Sequence, residues 1–253
     1  GRALVLGCTA RSVIGGGREV EDKPALSITA ACLPGVDLAP FHLRQEDVAG
    51  EPAPLDARLG LARDRQHHFL ILSDPFSFDV ESFARAADAL FPGARKIGGV
   101  ASGGESPGEN ALYLGERVYH AGLVGVALSG NVELDAVVAQ GCRPIGQPMF
   151  VTRCHENVIH QLDGRPALGV LQELYRRLTP GDQELCRGSL FLGIEMRGAQ
   201  SEYQQGDFLI RNLLGSDPEA GTIAVGALLR ENQVVQFHLR DAATSAGDLE
   251  RRL

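Results

Sequence analysis

"GLVGVALSGNVELDAVVAQGCRPIG" (residues 122–146) holds a continuous apolar run, the pair Gly130-Asn131, a second apolar-rich run, and an abrupt stop on glycine, cysteine, arginine and proline. Two apolar runs of strand length joined by a Gly/Asn turn predict a β-hairpin. The same arrangement recurs as "ALSITAACL" and "VDLAPFHL" around Pro34-Gly35, and as "TIAVGALLR" and "QVVQFHLRD" around Glu231-Asn232. The three turns fall roughly one hundred residues apart, the span of a small domain. The chain therefore reads as α+β (mixed α/β): two domains built on mixed, hairpin-rich β-sheets with flanking helices, and a duplicated α+β unit. The expected domains are residues 1–148 and 149–253.

Helices are signalled between the β runs. Asp79 is an N-cap for "VESFARAADALF", whose Val80, Phe83, Ala87, Leu90 and Phe91 form one stripe ended by Pro92-Gly93. Pro166 opens a second helix that turns Leu168, Leu171, Leu174, Tyr175 and Leu178 inward, and Asp182 starts a short third. "FVTRCHE" and "VIHQL" read as a hairpin about Asn157, and the last residues as a helical tail. The polar, proline-bearing stretch from Arg44 to Asp64 reads as a loop or short exposed helix.

Composition narrows the function classes. Of 253 residues, 44% are hydrophobic, enough for a real core, and 32 Asp+Glu against 24 Lys+Arg give a net charge of -8. That balance, without a basic block, argues against nucleic acid or an anionic membrane as the main partner. The longest apolar runs, such as "SLFLGI" at 189–194, are far short of the roughly 20 residues that span a bilayer. Five widely spaced cysteines without C-x-x-C spacing disfavour a disulfide framework or zinc site and point to a cytoplasmic setting. The chain opens on "GRALVLGCTA" without methionine or leader, so a removed leader or a fragment is expected.

Candidate chemistry sits at glycine-rich strand ends: "LGCTA" (6–10), "IGGVASGG" (97–104), "QGCRPIG" (140–146) and "QGDFLIRN" (205–212). Glycine there lets backbone N–H groups approach a small anion closely, and a tight turn is the plainer explanation of each alone. Neither nucleotide template, G-x-G-x-x-G or G-x-x-x-x-G-K-[ST], is present. Beside those turns stand Cys142, Arg143, Asp207, Arg211, Asn212 and His238, the expected ligand-binding set. An arginine fork suits a carboxylate and an aspartate suits an ammonium group, so together they would hold an amino-acid-like ligand. Strict alternation puts Asp207 with Arg211 on one face, and Gln236, His238 and Arg240 on another. Pairing of Asp207 with Arg211 on a sheet surface is the alternative. Cys142 next to Arg143 would also suit a thiol nucleophile. Seven histidines show no metal spacing, although a single histidine can carry haem iron without a motif.

"GCTARSVIGGGREVED" (7–22) with "LPGVDLAPFHL" (33–43) resembles the N-terminal FIST domain. "VALSGNVELDAVVAQGCRPIG" (126–146), "NVIHQLDGRPALGVL" (157–171), "GDFLIRNLLGSDPEAGTIAVG" (206–226) and "VQFHLRDA" (235–242) resemble its continuation and the C-terminal FIST domain. The resemblance runs from Gly7 to about Asp248, and the strand and helix expected before "LVLGCTA" are missing. It implies an intracellular sensory module of the F-box and intracellular signal transduction family. Such a module would bind a small ligand, amino-acid-like or a carboxylate, in a cleft between its two domains without enzymatic activity. Its signalling output would come from a separate partner protein. The resemblance also implies an alternative, a haem-binding nitric oxide sensor, and a protein-interaction scaffold is a further alternative beside it. The cofactor is otherwise unknown.

Overall fold

The computed structural model describes residues 3–21, 23–49, 55–137, 139–196, 203 and 206–251. It has two compact units, Gly1–Ala136 and Val137–Leu253. The mixed α+β class expected from the sequence is found.

In the first unit the strands are β1 (Leu6–Cys8), β2 (Ser12–Gly15), β3 (Arg18–Glu21), β4 (Val36–Leu43), β5 (His68–Ser73), β6 (Lys96–Val100), β7 (Leu112–Leu114), β8 (Arg117–Tyr119) and β9 (Leu123–Gly130). Two helices, α1 (Leu55–Leu59) and α2 (Val80–Leu90), accompany them. A four-stranded sheet runs in the order β4-β9-β5-β6, and only β5 and β6, linked through α2, are parallel. α2 forms as its pattern predicts. The Asp79 side chain accepts from the Glu81 N–H, and Phe83, Ala87 and Phe91 enter a core with Phe41, Phe69 and Leu55. On the opposite face Leu72 and Val124 pack against Leu6, Leu112 and Leu114 of a three-stranded antiparallel sheet, β1-β7-β8. Covered on both sides, β9 is buried from Leu123 to Ser129 and apolar from Leu123 to Leu128 rather than alternating, as befits a central strand.

In the second unit, β10 (Cys142–His155), β11 (Val158–Leu162), β12 (Arg165–Pro166), β13 (Leu190–Glu195), β14 (Phe208–Asp217), β15 (Thr222–Val225) and β16 (Val234–Arg240) are joined by α3 (Ala167–Arg177), α4 (Pro180–Ser189) and α5 (Ala242–Glu250). The order β10-β16-β13-β14-β15-β11 closes on itself through a β10–β11 pairing, giving a six-stranded antiparallel barrel with β12 appended to β11. Two long strands make closure possible. β10 pairs with β16 over residues 142–150 and with β11 over 151–155, while β14 pairs with β13 and then β15, with register shifts along both strands. Such irregularities bend a strand and let a small barrel turn its corners. Leu192, Ile194, Val235, Phe237, Leu239 and Ile159 fill the core. The hairpin about Asn157 forms as expected, with Glu156 at φ 51° in its turn.

The three recurrent segments are not hairpins. Residues 25–33 and the described residues of 132–141 form no strand, and β15 and β16 each pair with other strands. Leu26 and Ile28 are exposed, so strand propensity there meets no neighbouring ladder. The turns at 34 and 130 instead end β4 and β9 side by side: Val36 lies opposite Gly130, and the Asn131 N–H donates to the Gly35 carbonyl. Gly130, at φ 92°, supplies the left-handed conformation that takes the chain off the sheet. The third helix also begins earlier than Asp182. Thr179 caps it by accepting the Asp182 N–H, with Pro180 in the first turn.

Candidate functional site

All six residues singled out by the sequence belong to the second unit. β10 begins where "QGCRPIG" breaks, and Gly141 sits there at φ 64° because α5 lies against it: its N–H donates to Asp248, its carbonyl accepts from Ser245, and a Cβ would stand 2.5 Å from the Ser245 hydroxyl. Cys142 follows, buried and opposite Arg240 in the ladder. Arg143 donates through Nε to Asp241 at 2.9 Å and through Nη2 to Asp182. Asp241 is the N-cap of α5 and Asp182 lies in the first turn of α4, so one guanidinium ties two helix starts to β10. The Thr244 N–H and then Arg143 hold the Asp241 carboxyl below the usual carboxylate range, while the bond to Asp241 raises the Arg143 guanidinium further. The arginine at the lip of β10 thus clamps two helices.

Register distributes the rest. Pro144, His238, Phe191 and Asn212 stand in one lateral row across β10, β16, β13 and β14, and two residues further toward the strand end Cys142 stands opposite Arg240. Residues opposite one another share a face. Cys142, His238 and Asn212 thus lie on one face of the sheet with Arg240, whose guanidinium rests 4.5 Å from the Phe191 ring centroid. Arg143 and Arg211 lie on the other, in register with Leu239 and Leu192. Asp207 precedes β14 and accepts from the Met196 N–H through its carbonyl. His238 is packed tightly: a Cβ on Gly193 would stand 2.6 Å from its ring, Phe208 lies 5.4 Å away, and Nδ1 donates to the Gln236 carbonyl. Burial pushes its basicity down, opposed by that hydrogen bond. Gln140 completes this region. Its carboxamide accepts from the Ile210 N–H and donates to the Phe208 carbonyl, covering the free edge of β14 as a short strand would.

In the first unit, two of the glycine-rich turns converge. Ser102 N–H donates to the Thr9 carbonyl, and the Thr9 hydroxyl and Gly104 N–H both donate to Asn110 Oδ1. The buried Asn110 donates to the equally buried Asp74, which also accepts from Ser77, and Ser77 in turn accepts the Gly122 N–H. This network fixes the loops at the carboxyl ends of β5 and β6, where open sheets carrying parallel strands hold ligands. Beside Gly122, the His42 ring stacks on Tyr119 at 3.9 Å and donates to the Ala121 carbonyl. Tyr119 and His42 form one wall of a cavity of about 600 Å³ whose charged lining residues are Arg44 and Arg117. A neighbouring hollow of about 370 Å³ shares His42, Arg44 and Tyr119 and adds Glu46 and His120. Among the described residues no carboxylate forms an ion pair with Arg117, and the Arg44 guanidinium pairs with the exposed Glu46 at 3.9 Å. No local motif marks these residues, and the sequence alone does not single them out.

The described residues that line these two cavities do not fit a haem. His42 spends Nε2 on a carbonyl and its face on Tyr119, His120 spends Nδ1 on the Asn110 carbonyl, and the arginine-bearing wall is not the apolar slot a porphyrin needs. His155 and His160, on β10 and β11, line neither cavity. Among the described residues no group of three or more His, Cys, Asp or Glu could hold a metal ion, and no helix is long and apolar enough to cross a membrane.

Residues 1–165 match the model of the FIST N domain and residues 167–253 that of the FIST C domain. An uncharacterised protein of Mycobacterium tuberculosis is 38% identical over 247 residues, which are 98% of this chain and 63% of that protein. An uncharacterised protein of Mycobacterium bovis is 35% identical over 245 residues, 97% and 62% of the two chains. The chain thus spans somewhat less than two thirds of the curated relatives it matches. No solved structure matches it.

Proposed function

The chain belongs to the FIST family, and from that premise we propose that it binds a small carboxylate of amino-acid size in the first unit's arginine-lined cavity and acts as a non-enzymatic sensor. FIST domains are generally signal-transduction sensor domains. The observation that carries the ligand class is the presence of Arg44 and Arg117 around a cavity of about 600 Å³ with no acidic residue among the described residues that line it. A carboxylate there would meet two guanidinium forks, and the stacked His42–Tyr119 pair would give its apolar part a flat wall. Binding of this kind orders loops rather than breaking bonds, and the convergent Thr9–Asn110–Asp74 network provides a firm base beside it.

A second reading keeps the ligand at the barrel. It is favoured by Arg240, which among the described residues pairs with no carboxylate and lies over Phe191 on the face that also carries Cys142, His238 and Asn212. One experiment separates the two. Thermal shift of the full chain is recorded with a panel of amino acids and simple carboxylates, for wild type, Arg117→Ala and Arg240→Ala. A ligand binding only the native state at one hundred times its Kd adds about 2.7 kcal/mol of stability, an easily read shift. Loss of that shift in Arg117→Ala alone supports the cavity, and loss in Arg240→Ala alone moves the site to the barrel. No shift in wild type with any member of the panel rejects the carboxylate reading.

A further inference from the structure

The second unit carries an apolar hollow that the proposed ligand site does not use. α3 and α4 both pack on the barrel, α3 over β11 and β15 and α4 over β16 and β13, leaving a groove of about 430 Å³ between them. Leu168, Leu171 and Tyr175 face it at helical spacing from α3, and Cys186 and Leu190 face it from the other side. The volume lies within the range of small-molecule sites. Its only charged lining residues are Arg176 and Arg187, both exposed. Arg187 pairs with Glu184 at 2.8 Å in a contact exposed on both sides, the kind of pair a competing carboxylate displaces at little cost. Burial raises the Cys186 thiol, as expected of a sulfhydryl in an apolar wall.

An apolar trough flanked by two cations, in a chain with net charge -8, matches one kind of occupant: an apolar body ending in a single negative charge. We propose that the α3–α4 groove binds a free monocarboxylate amphiphile of the fatty-acid type, its chain against Leu168, Leu171 and Leu190 and its head group between Arg176 and Arg187. The two roles divide cleanly. The leucines supply affinity without direction, and the arginines fix which end of the molecule lies outward and reject uncharged chains.

Cys186 reports occupancy directly. Its alkylation by N-ethylmaleimide, followed by peptide mass spectrometry on the full chain, is measured alone, with decanoate and with decanol, both kept below their aggregation limits. Decanoate is expected to slow labelling at least fivefold and decanol less than twofold. The double variant Arg176→Gln/Arg187→Gln, each rate with decanoate being compared with the variant's own rate without additive, should lose the protection by decanoate. A second readout uses the absence of tryptophan from the chain: in Gln172→Trp, a single indole beside the groove should shift its emission with decanoate. Unchanged labelling and unchanged emission with millimolar decanoate overturn the proposal, as does equal protection by decanol and decanoate. Arg117→Ala should leave both readouts unaltered, so this outcome is independent of the first-unit cavity.

Discussion

Arg143 offers the sharpest test of how the barrel holds its helices. Replacing it by methionine keeps the aliphatic stem and deletes both charge-assisted bonds, to Asp241 and Asp182. The side chains are 33%, 22% and 21% exposed, intermediate between a surface pair and a buried one. A fully exposed pair contributes about 0.2–1 kcal/mol and removing one partner of a buried pair costs about 3–5 kcal/mol. At this exposure each bond is worth about 1–1.5 kcal/mol, so Arg143→Met should cost the second unit about 2–3 kcal/mol. Arg143→Lys should recover about half, because an ammonium group cannot fork to carboxylates on two helices. Urea unfolding is the assay, with a probe in the second unit so that its transition is read alone. With a slope of about 1–3 kcal/mol per molar, the midpoint should fall by about 1 M. Asp241 sets the pH dependence. Its folded-state pKa lies below the ordinary value of 3.8, so its contribution is present above that value and is lost as pH falls through the folded one. The gap between variant and wild type should therefore narrow in acid below about pH 3.8. A loss under about 0.5 kcal/mol at neutral pH would refute the clamp.

Three further outcomes follow from buried contacts. Asn110→Asp would set a carboxylate against buried Asp74, whose Oδ1 lies 3.0 Å from the Asn110 amide nitrogen, and should cost the first unit at least about 3 kcal/mol by denaturant titration. Gly193→Ala would place a methyl group 2.6 Å from the His238 ring and 2.8 Å from the Phe208 Cβ, an overpacking cost of about 1–3 kcal/mol, and His238→Ala should relieve only the share due to the ring in the double variant. His238 is disfavoured as a cation by burial, so its folded pKa lies below the unfolded value of 6.5. The second unit should accordingly lose up to about 1.4 kcal/mol per pH unit as pH falls from 6.5 toward the folded value, and His238→Gln should flatten that slope.

Local pattern was readable wherever one segment contained its own instructions. α2 carries its cap, its stripe and its Pro-Gly stop within residues 79–93, and each works as expected. β5 and β16 are recognisable as dense apolar runs, and the β10–β11 hairpin by its compact turn. Partner choice was not readable. The run 25–33 has the composition of a strand but no neighbour, and β15 and β16 follow one another in sequence while pairing elsewhere, since ladders are decided by sheets assembled from distant segments. The candidate site failed to show for the same reason. The glycine, cysteine and arginine at 141–143 stand where the sequence puts them, at a strand's lip, but the carboxylates that engage Arg143 lie 39 and 98 residues along the chain. Period-two alternation separated Arg211 from His238 onto different faces only once the register across β13 was fixed. Arg44 and Arg117 meet at one cavity from segments with no shared motif.

The barrel's closure also dictates an order of events during synthesis. Every strand of the first unit's four-stranded sheet has been made by residue 130, so that sheet can assemble while the ribosome is still adding β10. The barrel has no such option. β10, its first strand to emerge, can pair residues 151–155 with β11 at once, but residues 142–150 find their partner only in β16, at residues 234–240, and until then their backbone donors and acceptors face water or a chaperone. Pairing of such high contact order is slow, so the nascent chain is exposed for longest in the segment that opens on Cys142 and Arg143.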